Sequence, residues 1–129
     1  MPESGRKTFG ANEKYTGLKH FTKAFGWSVQ GFRTTFSGES AFRHELFLAV
    51  FLVPLGVILG DNGVERALLI GSVLLVLVVE LLNTSIESAV DRIGLEHNTL
   101  SGRAKDTGSA AVFLSCFIVI TTWCCVIFG

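Results

Sequence analysis

Glu80, Asn83, Glu87 and Asp91 are spaced by three, four and four residues. At about 100° per helical residue they fall within an arc of roughly 80° on one helix face. Side-chain oxygens of this kind hold hard divalent cations such as Mg²⁺, and a carboxylate left free can take a proton from a hydroxyl. A second group follows at Ser101-Gly102-Arg103-Ala104-Lys105-Asp106. There, two cations and a helix N-terminus capped by Ser101 would offer a phosphate both countercharge and N–H donors. The glycine spacing of a Walker A loop is absent, and a basic loop that only sets membrane orientation is the plainer reading of this segment alone. Taken together, an acidic edge and a cationic segment supply what phosphoryl transfer from a nucleotide to an alcohol requires.

The elements that must position these groups are membrane helices. A chain of 129 residues with 49% apolar and 17% charged residues has the composition of a membrane protein rather than a soluble domain. The acidic edge belongs to a segment from about Val64 to Val90 whose centre, Ala67 to Val79, is uncharged. Thr107 to Gly129 gives 23 uncharged residues, a rise of about 35 Å and ample for a ~30 Å hydrocarbon core. Leu46 to Gly60 is too short alone at about 22 Å, so the lead-in Glu39-Ser40-Ala41-Phe42-Arg43-His44-Glu45 must extend that helix. Arg43 can then snorkel to the interface, whereas Glu45 needs a partner. Pro54 is a candidate kink, and Asp61-Asn62-Gly63 a short turn.

Upstream, Leu18, Phe21, Phe25, Val29, Phe32 and Phe36 make an apolar stripe flanked by Lys19, Lys23 and Arg33. That pattern suits a helix lying in the headgroup plane of an anionic membrane. Trp27 lies opposite the stripe and is better placed to contact protein or ligand. The predicted fold is an all-α membrane protein. A loose tail covers residues 1–16, and a single membrane-embedded domain covers residues 17–129, with a surface helix over about 17–37 and membrane helices over about 40–60, 64–91 and 101–129.

Seven of the eleven Lys and Arg residues precede Leu46. The turn between the first two spans carries only Arg66, and the second connection carries Arg92, Arg103 and Lys105. By the positive-inside tendency, the N-terminus and the second connection are cytoplasmic and the C-terminus is outside. The first forty residues lack the apolar region of a signal peptide, so the N-terminus is expected to be retained. Cys116, Cys124 and Cys125 lie in one apolar run and read as small hydrophobes rather than a disulfide framework. The three histidines have no spacing typical of zinc. In this orientation Asp91 marks the cytoplasmic end of its helix, with Glu80 about 16 Å deeper. An acid at that depth needs a partner, water or a function, and four aligned polar residues are harder to explain as a helix–helix contact than one.

VELLNTSIESAVDRIG followed by LSGRAKDTGSAAV resembles the signature of the prokaryotic diacylglycerol kinases, and the similarity extends through GWSVQGFR and ESAFRHE. The resemblance implies a homotrimer of subunits, each with a surface helix and three membrane helices, and active sites shared between neighbouring subunits. It further implies direct transfer of the γ-phosphoryl of MgATP to diacylglycerol, giving phosphatidic acid, in the bacterial inner membrane. Carried over by motif, Glu80 would be the general base and Asn83 would orient the edge. Glu39 and Glu87 would ligate Mg²⁺, and Lys105 and Asp106 would serve the phosphates. Further ATP contacts would fall on His20, Trp27, Glu96, His97 and Asn98, and lipid contacts on Ala24, Ser28, Arg33, Glu45, Ser109 and Trp123. His20 replaces an Arg often found in the family, with Lys19 beside it, and Glu96-His97-Asn98 departs from the usual Tyr-His. The alternatives are an undecaprenol kinase and, in another class, a small proton-coupled transporter. A transporter needs one membrane acid but no phosphate cradle. Nucleic acid is not an expected partner.

Overall fold

The computed structural model describes residues 16–129, all of whose regular structure is helical: α1 (Leu18–Gly38), α2 (Ser40–Leu59), α3 (Gly63–Ile93) and α4 (Thr99–Phe128). The tail predicted over residues 1–16 lies outside the described residues except for Thr16. The chain divides into two units, one running to Arg33 and the other Thr34–Gly129.

In the first unit, Gly17 has φ +66, the left-handed region where glycine escapes the Cβ penalty, and α1 starts directly after it. Leu18, Phe21, Phe25, Val29 and Phe32 are all solvent-accessible, as a stripe meant for a lipid surface requires.

The second unit begins with the end of α1 and contains three helices long and apolar enough to cross a membrane. α2 starts at Ser40 and is 20 residues long, about 30 Å. The polar lead-in does extend the first span. Pro54 lies within this helix. A short turn reverses the chain into α3. Asn62 caps the helix by accepting from the Glu65 N–H at 3.0 Å, and Glu65 in return accepts from the Asp61 N–H at 2.7 Å. Arg66 donates from Nε to the Val57 carbonyl at 3.1 Å, tying the end of α2 to the start of α3.

α3 is the central helix, with α2 and α4 both packed on it. Phe42 and Ala49 of α2 meet Val73 and Leu77 of α3 in a small buried cluster, against which Leu46, Val53, Leu81, Val119 and Trp123 pack. A Cβ on Gly56 would stand 3.1 Å from Leu69 Cβ, so the small residue allows close approach of α2 and α3, the usual device where lipid removes the hydrophobic drive between helices. Trp123 Nε1 donates to the Leu69 carbonyl at 3.2 Å and joins α4 to α3. Phe113, Leu114, Phe117 and Ile120 of α4 stay exposed, which a bilayer tolerates and water would not.

One expectation is corrected. Ser101 does not cap α4, because Asn98 does. Its side chain accepts from the Leu100 and Ser101 N–H groups at 2.9 and 3.1 Å. The segment Ser101–Asp106 is therefore helical and not a loop, and the connection from α3 shrinks to residues 94–98. The Ser101 N–H, part of the segment proposed to meet a phosphate, is already satisfied by the Asn98 side chain.

Candidate active site

The acidic edge passes from solvent into the protein as α3 descends. Asp91 is exposed, Glu87 is half-buried, Asn83 is 9% exposed and Glu80 is 5% exposed. The gradient arises because the same face that carries these residues turns onto α2 and α4 as the helix runs inward. Glu80 Oε2 and Asn83 Oδ1 are buried and have no hydrogen-bond partner among the described residues. Asn83 Nδ2 makes a long hydrogen bond, 3.5 Å, to Glu87 Oε1. A buried carboxylate oxygen without a donor is costly and marks a place where a proton, a cation or a substrate group belongs.

Other acids converge on Glu80. Glu39 and Glu87 both act on it electrostatically, and Glu80 acts in turn on Glu45 of α2, whose Oε2 is also buried and without a hydrogen-bond partner among the described residues. Glu39 occupies the corner between α1 and α2. Although it holds the N-cap position of α2, its side chain makes no capping bond, which leaves the carboxylate for other work. The corner is braced by Arg43, whose Nη1 donates to the carbonyls of Phe36 and Ser37 at 2.8 and 3.1 Å. Arg43 therefore satisfies the last carbonyls of α1, a role that no local spacing in the sequence signals.

The donor set is entirely oxygen, and Glu45 Oε2, Glu80 Oε2 and Asn83 Oδ1 are buried with no hydrogen-bond partner among the described residues, which fits a hard cation such as Mg²⁺. Among the described residues no group of three or more His, Cys, Asp or Glu is drawn close enough to enclose a metal. A Mg²⁺ ion carried on nucleotide phosphates uses only one or two protein carboxylates, so an open set of acids is compatible with it.

At the outer end of the edge, Lys105 Nζ pairs with Asp91 Oδ1 at 2.7 Å, with both side chains more than 40% exposed. A pair this wet is worth little. Asp106 is exposed beside it. Glu96 and His97 are exposed in the short connection, where the Glu96 carboxylate folds back over Gly94, and Asn98 is engaged as the cap of α4.

The structure thus brings together Glu39, Glu45, Glu80, Asn83 and Glu87, and places Lys105 at their outer end. Trp123 lies apart from this group, at the level of Leu69, about 16 Å of helix rise from Glu80. Ser109 is exposed on α4. On α1, His20, Ala24 and Trp27 share a face about 60° wide, opposite the apolar stripe. Ser28 borders that face and donates its hydroxyl to the Ala24 carbonyl at 3.0 Å, and Arg33 is exposed. The partnering of Lys105 by Asp91 depends on the antiparallel register of α3 and α4. The only sequence signal for it was a carboxylate on the edge and a lysine just beyond the connection.

Residues 26–127 match the sequence model of a family described as prokaryotic diacylglycerol kinase. A diacylglycerol kinase of Haemophilus influenzae is 52% identical over 110 residues, 85% of this chain and 93% of its own length. One of Pseudomonas aeruginosa is 46% identical over 114 residues, 88% of this chain and 93% of its own. One of Escherichia coli K12 is 46% identical over 109 residues, covering 84% and 89% respectively.

Proposed function

The chain belongs to the prokaryotic diacylglycerol kinase family, and from that premise we propose that it transfers the γ-phosphoryl group of MgATP to the primary hydroxyl of 1,2-diacylglycerol, giving phosphatidic acid and ADP. The observation that carries the reading is the buried Glu80 carboxylate, whose Oε2 has no hydrogen-bond partner among the described residues, set among further acids and below a lysine paired with an exposed aspartate. Glu80 accepts the hydroxyl proton as the lipid oxygen attacks the γ-phosphorus. The bond from that phosphorus to the bridging oxygen breaks, ADP leaves with the electron pair, and Glu80 later releases its proton to water. Asn83 holds Glu87 in place through its amide. Lys105 exchanges Asp91 for the phosphates, with Asp106 beside it. Bound Mg²⁺ would neutralise charge on the transferring group, and Glu39 and Glu87 are the residues assigned to hold it.

The remaining assignments follow the family resemblance. His20, Trp27, Glu96, His97 and Asn98 contact the nucleotide, and Ala24, Ser28, Arg33, Glu45, Ser109 and Trp123 contact the lipid. The assembly is a homotrimer with shared active sites in a bacterial inner membrane. The positively charged flanks support cytoplasmic placement of the N-terminus and the site, with the C-terminus periplasmic. The depth of Glu80, about 16 Å of helix rise beyond Asp91, suits an acceptor hydroxyl that stays in the membrane.

The test is to incubate the purified protein in mixed micelles with γ-labelled MgATP and, separately, diacylglycerol, undecaprenol and ceramide. Label in phosphatidic acid above the other products is expected. Preferential labelling of undecaprenol would move the assignment to a polyprenol kinase, and no labelled lipid would favour a transporter.

A further inference from the structure

Gly108 is a buried residue of α4, on the face that meets α3. A methyl group built on it would fall on Asn83 Oδ1, while its next neighbours, Asn83 Cγ at 3.4 Å and Ile86 Cδ1 at 3.7 Å, lie at ordinary contact distance. One atom therefore fills the space that a side chain at position 108 would need. That atom is the buried carboxamide oxygen that no described group hydrogen-bonds. The other end of the same amide is directed at Glu87 Oε1, 3.5 Å away. Asparagine has only two side-chain torsions, so moving Oδ1 aside swings Nδ2 off Glu87. Gly56 offers a contrast, since the three atoms nearest to a methyl group there are carbons of Leu69, Ile70 and Trp123.

We propose that Gly108 is a positioning residue for the acidic edge. Its missing side chain is the seat that holds the Asn83 carboxamide towards Glu87, and through Asn83 it sets how Glu87 meets a divalent cation on nucleotide phosphates. The functional half of this inference rests on the phosphoryl-transfer reading above.

The test compares the wild-type chain with Gly108→Ala, Asn83→Ala and the double variant, all purified in detergent. Each is measured for thermal unfolding, for the Mg²⁺ dependence of ATP binding and for lipid phosphorylation. Gly108→Ala is expected to raise the Mg²⁺ needed for half-maximal ATP binding by about 10- to 100-fold, the loss usual when a group orienting a metal ligand is disturbed. It should also lower the unfolding temperature. In the Asn83→Ala background the same change is expected to do little to either quantity, because the atom it strikes is gone. Wild-type Mg²⁺ dependence in Gly108→Ala overturns the proposal. So does a loss equally large with and without Asn83, including a folding failure that Asn83→Ala does not rescue. Rescue of folding by the second change supports it. If the wild-type chain phosphorylates no lipid, the phosphoryl-transfer reading fails, and the unfolding cycle still decides whether Gly108 seats Asn83.

Discussion

Replacing Glu80 with Gln should stabilise the protein and silence it in one step. The substitution keeps size and shape but removes a charge from a site only 5% exposed, where one carboxylate oxygen has no partner and Glu39 and Glu87 add like charge. An unsatisfied buried polar group costs about 1–3 kcal/mol, and a charged side chain deep in a membrane helix about 2.5–3.5 kcal/mol on insertion scales. The amide keeps part of that polar cost, so a net gain of roughly 1–2 kcal/mol follows. Loss of a general base lowers turnover by about 10²- to 10⁴-fold, while the KM for ATP should hold within about threefold because Lys105 and Glu87 are untouched. Unfolding of the detergent-solubilised proteins by heat or by rising SDS fraction measures the first effect, and a coupled lipid-phosphorylation assay the second. A Glu80→Gln variant that is less stable than wild type, or that retains full lipid phosphorylation, refutes the reasoning.

Other perturbations separate the remaining parts. Glu87→Gln should raise the Mg²⁺ requirement by about 10- to 100-fold, seen as a rightward shift of the Mg²⁺ titration at fixed ATP. Lys105→Met removes a charge-assisted contact to the phosphates, so the KM for ATP should rise by about tenfold or more; Asp91→Asn, which removes only an exposed ion-pair partner, should leave unfolding stability close to that of the wild type. Asn98→Ala should cost about 1 kcal/mol through loss of the α4 cap, measured by denaturant unfolding in micelles, whereas Ser101→Ala should cost markedly less.

The membrane helices were legible because a bilayer permits few solutions. A run such as Thr107–Gly129 has to be a span, and the shortness of Leu46–Gly60 forced the polar lead-in of α2 into helix. The edge at Glu80, Asn83, Glu87 and Asp91 was legible for a similar reason, since helical spacing alone aligns it. Caps are a finer matter. Asn98, Thr99 and Ser101 can all cap a helix, and Asn98 prevails by starting α4 earlier and occupying both the Leu100 and Ser101 N–H groups. Contacts between helices were illegible where they depend on register. Asp91 with Lys105 and Asn83 against Gly108 follow from how α3 and α4 slide past each other, which the connection at residues 94–98 sets and no local pattern reports. The brace made by Arg43 was illegible because its partners, the carbonyls of Phe36 and Ser37, are backbone groups of another helix. The roles proposed for His20, Ser109 and Trp123 rest on the family resemblance alone, and that of Trp27 on the resemblance and its place opposite the apolar stripe.

The central claim is direct transfer from nucleotide to a membrane alcohol at the Glu80 edge. It is tested most directly by following label from γ-labelled MgATP through the reconstituted protein supplied with diacylglycerol. The expected result is one labelled phosphatidic acid for each ADP released, with no label retained on the protein. ADP release without labelled lipid, or label lodged on the chain itself, would contradict the account.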